Sequence, residues 1–244
     1  MRVKRYRPND RARLRLFCFP YAGGGLAMFR DWPQSLPHFV DVCSVELPGR
    51  ERLIGEPPPH SLPLLVERLA AAIEAWLEPK YALYGHSMGA LVAFELARLL
   101  IRNGAPPPAA LFVAAHRAPQ LPDRREPLHG LPDARFTAEL ARLKGTPSDI
   151  LTNPELMQIY LPILKADFML SETYQYATGP RHGRPIIAFG GRDDAEVSEE
   201  EISAWCEQTT GRFRLRMLPG DHFFIHSSAT ELLTAISGEL AAFG

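Results

Sequence analysis

The stretch LYGHSMGALVAFELARLL (residues 83–100) decides the fold. It sets Ser87 between Gly85 and Gly89 in a G-x-S-x-G string, with a short apolar run before it and a longer one after it. The string alone is a weak signal, because average Gly and Ser frequencies place one in about a tenth of chains this long. Its setting carries the weight. YALYG (81–85) has the length and bounded apolar character of a buried strand, and residues 88–102 are apolar nearly all round, as a buried helix is. A strand that turns sharply into a helix through a serine lifts the hydroxyl above the sheet, and glycines are needed where side chains would collide across the turn. The helix N-terminus then lies beside Ser87, where its free N–H groups favour developing negative charge. The competing reading is a turn serine flanked by glycines by chance, and the rest of the chain decides between them.

Working outward, LRLFCF (14–19), VDVCSVEL (40–47), YALYG, AALFVAA (109–115) and RPIIAFGG (184–191) are short apolar runs bounded by Gly, Pro or charge. Such runs read as buried strands of a parallel sheet. FRLRML (213–218) alternates apolar and basic residues, the pattern of an edge strand. Between the strands, residues 61–77 place Leu65, Leu69, Ile73 and Leu77 on one helical face. The helix over 88–102 is stopped by Gly104 and the prolines at 106–108, and residues 199–209 and 228–243 can form two more. Strands alternating with helices predict an α/β domain with a mostly parallel central sheet, spanning residues 1–244. Residues 120–183 break the alternation. They hold helical patterns around 133–144, 153–165 and 166–174, broken by Gly145, Pro147, Pro154 and Pro162, and form either a lid over a site or a plain helical subdomain.

The bulk numbers narrow the function classes. A hydrophobic share of 46% and a charged share of 23% in 244 residues suffice for a full core, and a net charge of -1 gives no reason to expect nucleic acid or an anionic membrane as partner. Cys18, Cys43 and Cys206 are too few and too scattered for a disulfide framework or a zinc site, which points to a reducing, cytoplasmic setting. No apolar run approaches the roughly 20 residues of a membrane span. The basic start, MRVKRYRPNDRARLR, lacks the apolar segment of a secretory signal. It reads as a solvated arm, with a patch for docking an acidic protein as the alternative.

A serine hydroxyl needs a base. In folds of this shape the partners follow in the order Ser, then Asp or Glu, then His. FGGRDDAEV (189–197) leaves one strand and LPGDHFF (218–224) leaves the last, so both polar groups fall at carboxyl ends of strands. His222 is the expected general base. Asp194 is the expected orienting acid, completing G-x-x-D from Gly191 with Val197 three residues on, and Asp193 is the fallback. The Met88 N–H is one expected oxyanion donor. The loop FPYAGGG (19–25) lacks the Lys-Ser/Thr of a P-loop and is expected to supply the other donor from Ala22, with Tyr21 nearby. His86 is expected to pack or hydrogen-bond at the elbow, and His116 to have a structural role near the site. His226 follows His222 at four-residue spacing, too little to argue for a metal. His38, His60, His129 and His182 read as surface or loop residues.

FPYAGGG, ELPGRERL (46–53), YGHSMGALVAFELAR (84–98), ADFMLSETYQY (166–176) and LPGDHFF resemble, in order and over nearly the whole chain, the type II thioesterases of polyketide and nonribosomal peptide synthesis. GHSMG is shared with many hydrolases; LPGR followed by Glu51 and Arg52, and DFMLSETYQY, are more specific. The resemblance implies an α/β-hydrolase fold with a helical lid. It implies hydrolysis of acyl groups from the phosphopantetheine arm of acyl or peptidyl carrier proteins, clearing misprimed or stalled units, by Ser87, Asp194 and His222, with no cofactor or metal and as a monomer. The family more often has a second glycine where Asp221 stands; that carboxylate is expected to point away from His222. Met88, Phe168, Met169 and Tyr174 are candidates to line an apolar acyl chamber, and Arg50 or Arg52 to meet the phosphate of the arm. The alternatives are a general carboxylesterase or lipase, a chain-releasing cyclase, and a binding protein without turnover.

Overall fold

Strands that are apolar on both sides need cover on both faces of their sheet. The computed structural model, which describes residues 1–243, meets that need with helices packed on each face. The strands are β1 (Arg2–Lys4), β2 (Leu14–Phe19), β3 (Val40–Glu46), β4 (Lys80–His86), β5 (Leu111–Ala114), β6 (Ile186–Gly191) and β7 (Phe213–Leu218). They form one sheet in the order β1-β3-β2-β4-β5-β6-β7, parallel throughout except for the β1–β3 pair. The helices are α1 (Trp32–Ser35), α2 (Leu62–Ile73), α3 (Met88–Arg102), α4 (Asp133–Leu143), α5 (Ser148–Leu151), α6 (Pro154–Glu172), α7 (Glu199–Ser203), α8 (Phe224–Ser227) and α9 (Ala229–Leu240).

The apolar face of α2 does what its spacing predicts. Leu65, Leu69 and Ile73 are fully buried against α3 and the sheet, each contributing about 1.5–3 kcal/mol of transfer free energy. On the other face, Trp32, Leu232 and Ile236 pack with Phe112 and Phe189. β7 is an edge strand, as its alternation suggests, and its Arg214 and Arg216, with Arg212 just before it, meet the buried Glu239 of α9.

Two expectations are corrected. The basic N-terminal segment is not a solvated arm: residues 2–4 are the antiparallel edge strand β1, and Arg5 pairs with Asp41 at 2.7 Å. The cause is Asp41, a carboxylate buried in β3, which needs a cation drawn from nearby chain. The second correction concerns the two helical patterns at 153–165 and 166–174, which merge into one continuous helix, α6 (Pro154–Glu172), with Pro162 inside it. An interior proline costs about 3 kcal/mol. It is offset by the Asn153 cap on the Glu155 and Leu156 amides and by burial of Met157, Ile163, Leu164 and Leu170. α4, α5 and α6 lie between β5 and β6 and enclose a small core of their own around Phe136, Leu140, Met157 and Leu164.

Candidate active site

β4 ends at His86 and α3 begins at Met88, which leaves one residue to reverse the chain. Ser87 takes φ 53°, ψ -120°, a conformation that costs a non-glycine residue on the order of 1–3 kcal/mol. It is held there because its N–H donates to the Ala114 carbonyl of β5 at 2.8 Å. The flanking glycines are required by contact. A Cβ on Gly85 would lie 1.9 Å from the Gly89 carbonyl oxygen, and one on Gly89 would lie 2.3 Å from that of Phe19.

The loops that follow β6 and β7 bring their side chains to this serine. His222 Nε2 is 3.0 Å from Ser87 Oγ, and His222 Nδ1 is 2.9 Å from Asp194 Oδ2. Ionised Asp194 can only accept, so Nδ1 carries the proton and Nε2 is free to accept from the serine hydroxyl. The fully buried Asp194 side chain accepts from the Glu196 and Val197 amides on its other oxygen, at 2.8 and 3.2 Å. Asp193, one residue earlier, is exposed and its side chain makes no contact with the imidazole. Asp221 points away, as expected: its carboxylate accepts from the Phe223 amide.

His86 is fully buried, and burial holds its pKa well below the ordinary imidazole range. As a neutral ring it donates from Nε2 to the His222 carbonyl at 2.8 Å, with Tyr84 Oη 3.3 Å from Nδ1. It therefore fixes the backbone that carries the imidazole. His226 Nε2 meets Tyr21 Oη at 3.0 Å, and among the described residues no three His, Cys, Asp or Glu side chains gather as a metal site. His116 is buried beside Arg117, whose carbonyl accepts from Nδ1 at 2.6 Å, and burial lowers its pKa to about 3. His182, read as a surface or loop residue, lies outside the helices and strands but is buried against Phe94, and its pKa falls to about 4 through burial.

A cavity of about 410 Å³ opens over Ser87 between the sheet and the inserted helices. Ala22 and Met88 line it, and neither amide has an acceptor among the described residues, so both are free to donate. Of the expected lining residues, Met88 and Phe168 face it. Met169 does not, and Tyr174 packs on the main core with its hydroxyl donating to Glu95. Nor is the chamber wholly apolar. Leu128, Leu140, Leu164 and Phe168 form one part, while Arg125 and Arg142 pair with Glu196 in another. Arg50 is also corrected: it is buried and bound to Asp167, which removes it from any phosphate. Sequence reasoning missed that pair. The available signal was an aspartate on the apolar face of a helix, four residues after Ile163 and three before Leu170.

A mostly parallel sheet, a serine on a strained strand–helix turn, and a histidine and carboxylate on the next two loops define an α/β-hydrolase. Within that class the chain belongs to the thioesterase family, whose thioesterase-domain model matches residues 14–240. It is 43% identical over 232 residues to the gramicidin S biosynthesis protein GrsT of Aneurinibacillus migulanus, covering 95% of this chain and 91% of that one. Among solved structures it resembles RedJ, a thioesterase of the prodiginine pathway in Streptomyces coelicolor, with TM-score 0.90 and 39% identity over 96% of this chain and 92% of that one. It also resembles the type II thioesterase BorB of the borrelidin cluster, with TM-score 0.89 and 35% identity over 98% and 97%. The chain is thus a thioester-hydrolysing enzyme of the type II thioesterase kind, and no helix in the described residues is long and apolar enough to cross a membrane.

Proposed function

We propose that this enzyme hydrolyses acyl groups from the phosphopantetheine arm of acyl or peptidyl carrier proteins, freeing assembly lines blocked by misprimed or stalled units. Ser87 is the nucleophile, His222 the general base and Asp194 the group that orients and stabilises the imidazolium. Ala22 and Met88 donate their N–H groups to the oxyanion. The observation that carries this reading is the unbroken contact from Ser87 Oγ to His222 to Asp194 at the cavity floor, at 3.0 and 2.9 Å.

His222 takes the Ser87 proton as Oγ attacks the thioester carbonyl; the C–S bond then breaks from the tetrahedral intermediate and the imidazolium gives that proton to the departing thiolate, which restores the neutral ring. A thiol is far more acidic than an alcohol or amine (about 8.5 for a cysteine side chain), so its departure needs little acid assistance. Water, deprotonated by the same imidazole, then attacks the acyl-serine, and the proton returns to Oγ as the acid leaves. Of the arginines lining the cavity, Arg124 and Arg135 make no ion pair among the described residues and are available to the phosphate of the arm. No cofactor takes part in this scheme. The enzyme works as a cytoplasmic monomer and meets the carrier protein at the cavity mouth.

The test is incubation with carrier proteins bearing acetyl, propionyl and longer acyl groups, followed by intact mass. Loss of the acyl mass is expected, and Ser87→Ala should leave release at the rate without enzyme. Hydrolysis of p-nitrophenyl esters with no turnover of any acyl-carrier protein would instead make the chain a general esterase.

A further inference from the structure

The two strings most specific to this chain, ELPGRERL and ADFMLSETYQY, contribute nothing to the Ser87–His222–Asp194 contacts. The structure shows where they go. Arg50 and Asp167, 117 residues apart, form an ion pair in which Arg50 Nη2 donates to both carboxylate oxygens at 2.6 and 2.8 Å, with Arg50 only 5% exposed and Asp167 not at all. Each partner also grips the backbone of the loop 19–25. Asp167 Oδ2 accepts from the Gly23 N–H at 2.7 Å, and Arg50 Nη1 donates to the Gly24 carbonyl at 2.8 Å. One residue further, the Glu51 carboxylate accepts from the Leu26 N–H at 3.0 and 3.2 Å.

The loop so held is a tight turn. The Gly24 N–H donates to the Tyr21 carbonyl at 2.9 Å, and Gly23 has φ +77°, the conformation of the third residue of a type II turn. Ala22 is the second residue of that turn. Its N–H has no acceptor among the described residues, and its orientation follows from how the turn is seated. A turn on the surface has freedom to tilt, and a donor that tilts by an ångström loses most of its value to a developing oxyanion. A buried charged pair is costly to assemble, and here both charges are also spent on the turn, Asp167 on the peptide group just after Ala22 and Arg50 on the Gly24 carbonyl.

We infer that Asp167, locked by Arg50, is a positioning residue that seats the Ala22 N–H for oxyanion stabilisation. The inference rests on the catalytic reading above. Asp167 lies on α6, so the inserted helix that covers the cavity also completes its oxyanion hole. Displacing α6 releases Gly23 and unseats the donor, which ties closure of the cavity to competence of the serine.

The test uses the full chain and a propionyl-loaded carrier protein. Asp167→Asn keeps the side-chain shape but puts an N–H where one of two donors needs an acceptor. It is expected to lower kcat about 100-fold with KM within about threefold of the original. Two probes separate positioning from loss of structure. Propylboronic acid, which forms a tetrahedral adduct on Ser87, should bind weaker in proportion to kcat. S-propyl pantetheine, a thioether with no oxyanion to form, should bind as before. Arg50→Lys, which cannot hold both Gly24 and the carboxylate, should show the same pattern with a loss of about tenfold. Either variant, folded and with kcat within threefold of the original, overturns the inference. So does an equal loss of boronate and thioether binding. If Asp167→Asn fails to fold, Arg50→Lys decides by the same two probes. Retained turnover in Ser87→Ala would sink the catalytic reading itself, a result distinct from a silent Asp167→Asn.

Discussion

The sheet end of the cavity and its helical cover are built by different rules. At the sheet end, each side chain of the candidate triad sits on the residue or short loop just beyond a strand, and backbone hydrogen bonds seat it. Ser87 N–H is held by β5, and Asp194 by the two amides that follow it. The cover is held by side chains reaching across long stretches of sequence. Arg50 reaches Asp167, Glu172 accepts from the amides of Leu128 and His129, and Glu196 meets Arg125 and Arg142. The candidate triad is thus seated by backbone hydrogen bonds at the sheet, while the chamber is assembled from side-chain contacts that substitution can remove one at a time.

If that division holds, the largest losses come from the sheet end and separate adjacent residues cleanly. Asp194→Asn removes the acceptor that sets the His222 tautomer and should lower kcat about 10⁴-fold with the fold intact. Asp193→Asn, one residue away on an exposed side chain, should stay within twofold. Steady-state kinetics on an acyl-carrier protein, with circular dichroism as the folding control, measures both. Comparable losses at the two positions would mean that the loop, rather than the buried carboxylate, matters.

The same division explains how far the sequence could be read. Strands β2 to β6 were legible as short apolar runs closed by Gly, Pro or charge and β7 by its alternation, and the Ser, Asp and His positions follow because they sit just beyond three of these strands. Asp194 could be preferred to Asp193 from local spacing alone. The strand β1 was not legible: it is three residues long, two of them basic, and beside it Arg5 neutralises the buried carboxylate of Asp41 in β3. Pro162 read as a break because local propensity opposes it, whereas burial of the α6 face overrides that cost. The roles of Arg50 and His182 depend on burial that the residues around each do not announce, and so Arg50 read as a candidate for the phosphate and His182 as a surface or loop residue.

A smaller effect should come from the cover. Glu196 joins the two regions: its amide holds Asp194, and its carboxylate meets Arg125 at 2.8 Å and Arg142 at 3.5 Å. Glu196→Gln leaves the amide in place and removes only the charge. Both arginines are more than half exposed, so solvent screens the pairs and each is worth at most about 1 kcal/mol. The expected outcome is a change in KM of a few-fold, with kcat within about twofold. Hydrogen exchange should rise in residues 123–143 and stay unchanged in β4 and β6. Raising salt on the original protein from about 0.05 to 0.5 M should reproduce most of that rise. Exchange rising equally in the strands would show that the cover and the sheet open together.

Acid should act on the opposite region, and by the smallest increment at working pH. The folded pKa of His116 is about 3, against about 6.5 for an unperturbed imidazole, because burial disfavours the charged ring. The unfolded chain therefore takes up a proton that the folded one refuses once pH drops below about 6.5. The stabilisation is complete above that value and is lost as pH falls toward 3, with a slope of up to about 1.4 kcal/mol per pH unit for one such ring. His116→Asn keeps a side-chain N–H for the Arg117 carbonyl and cannot take up that proton. Urea titrations at pH 7.5 and pH 5 should show a smaller drop in unfolding free energy for the variant than for the original protein, at constant salt. His86, also held neutral, shares the same sign, so part of the acid sensitivity should survive the substitution. An unchanged drop in His116→Asn would mean that acid acts through the ion pairs of the cover, and the two regions would then not differ in the way their contacts suggest.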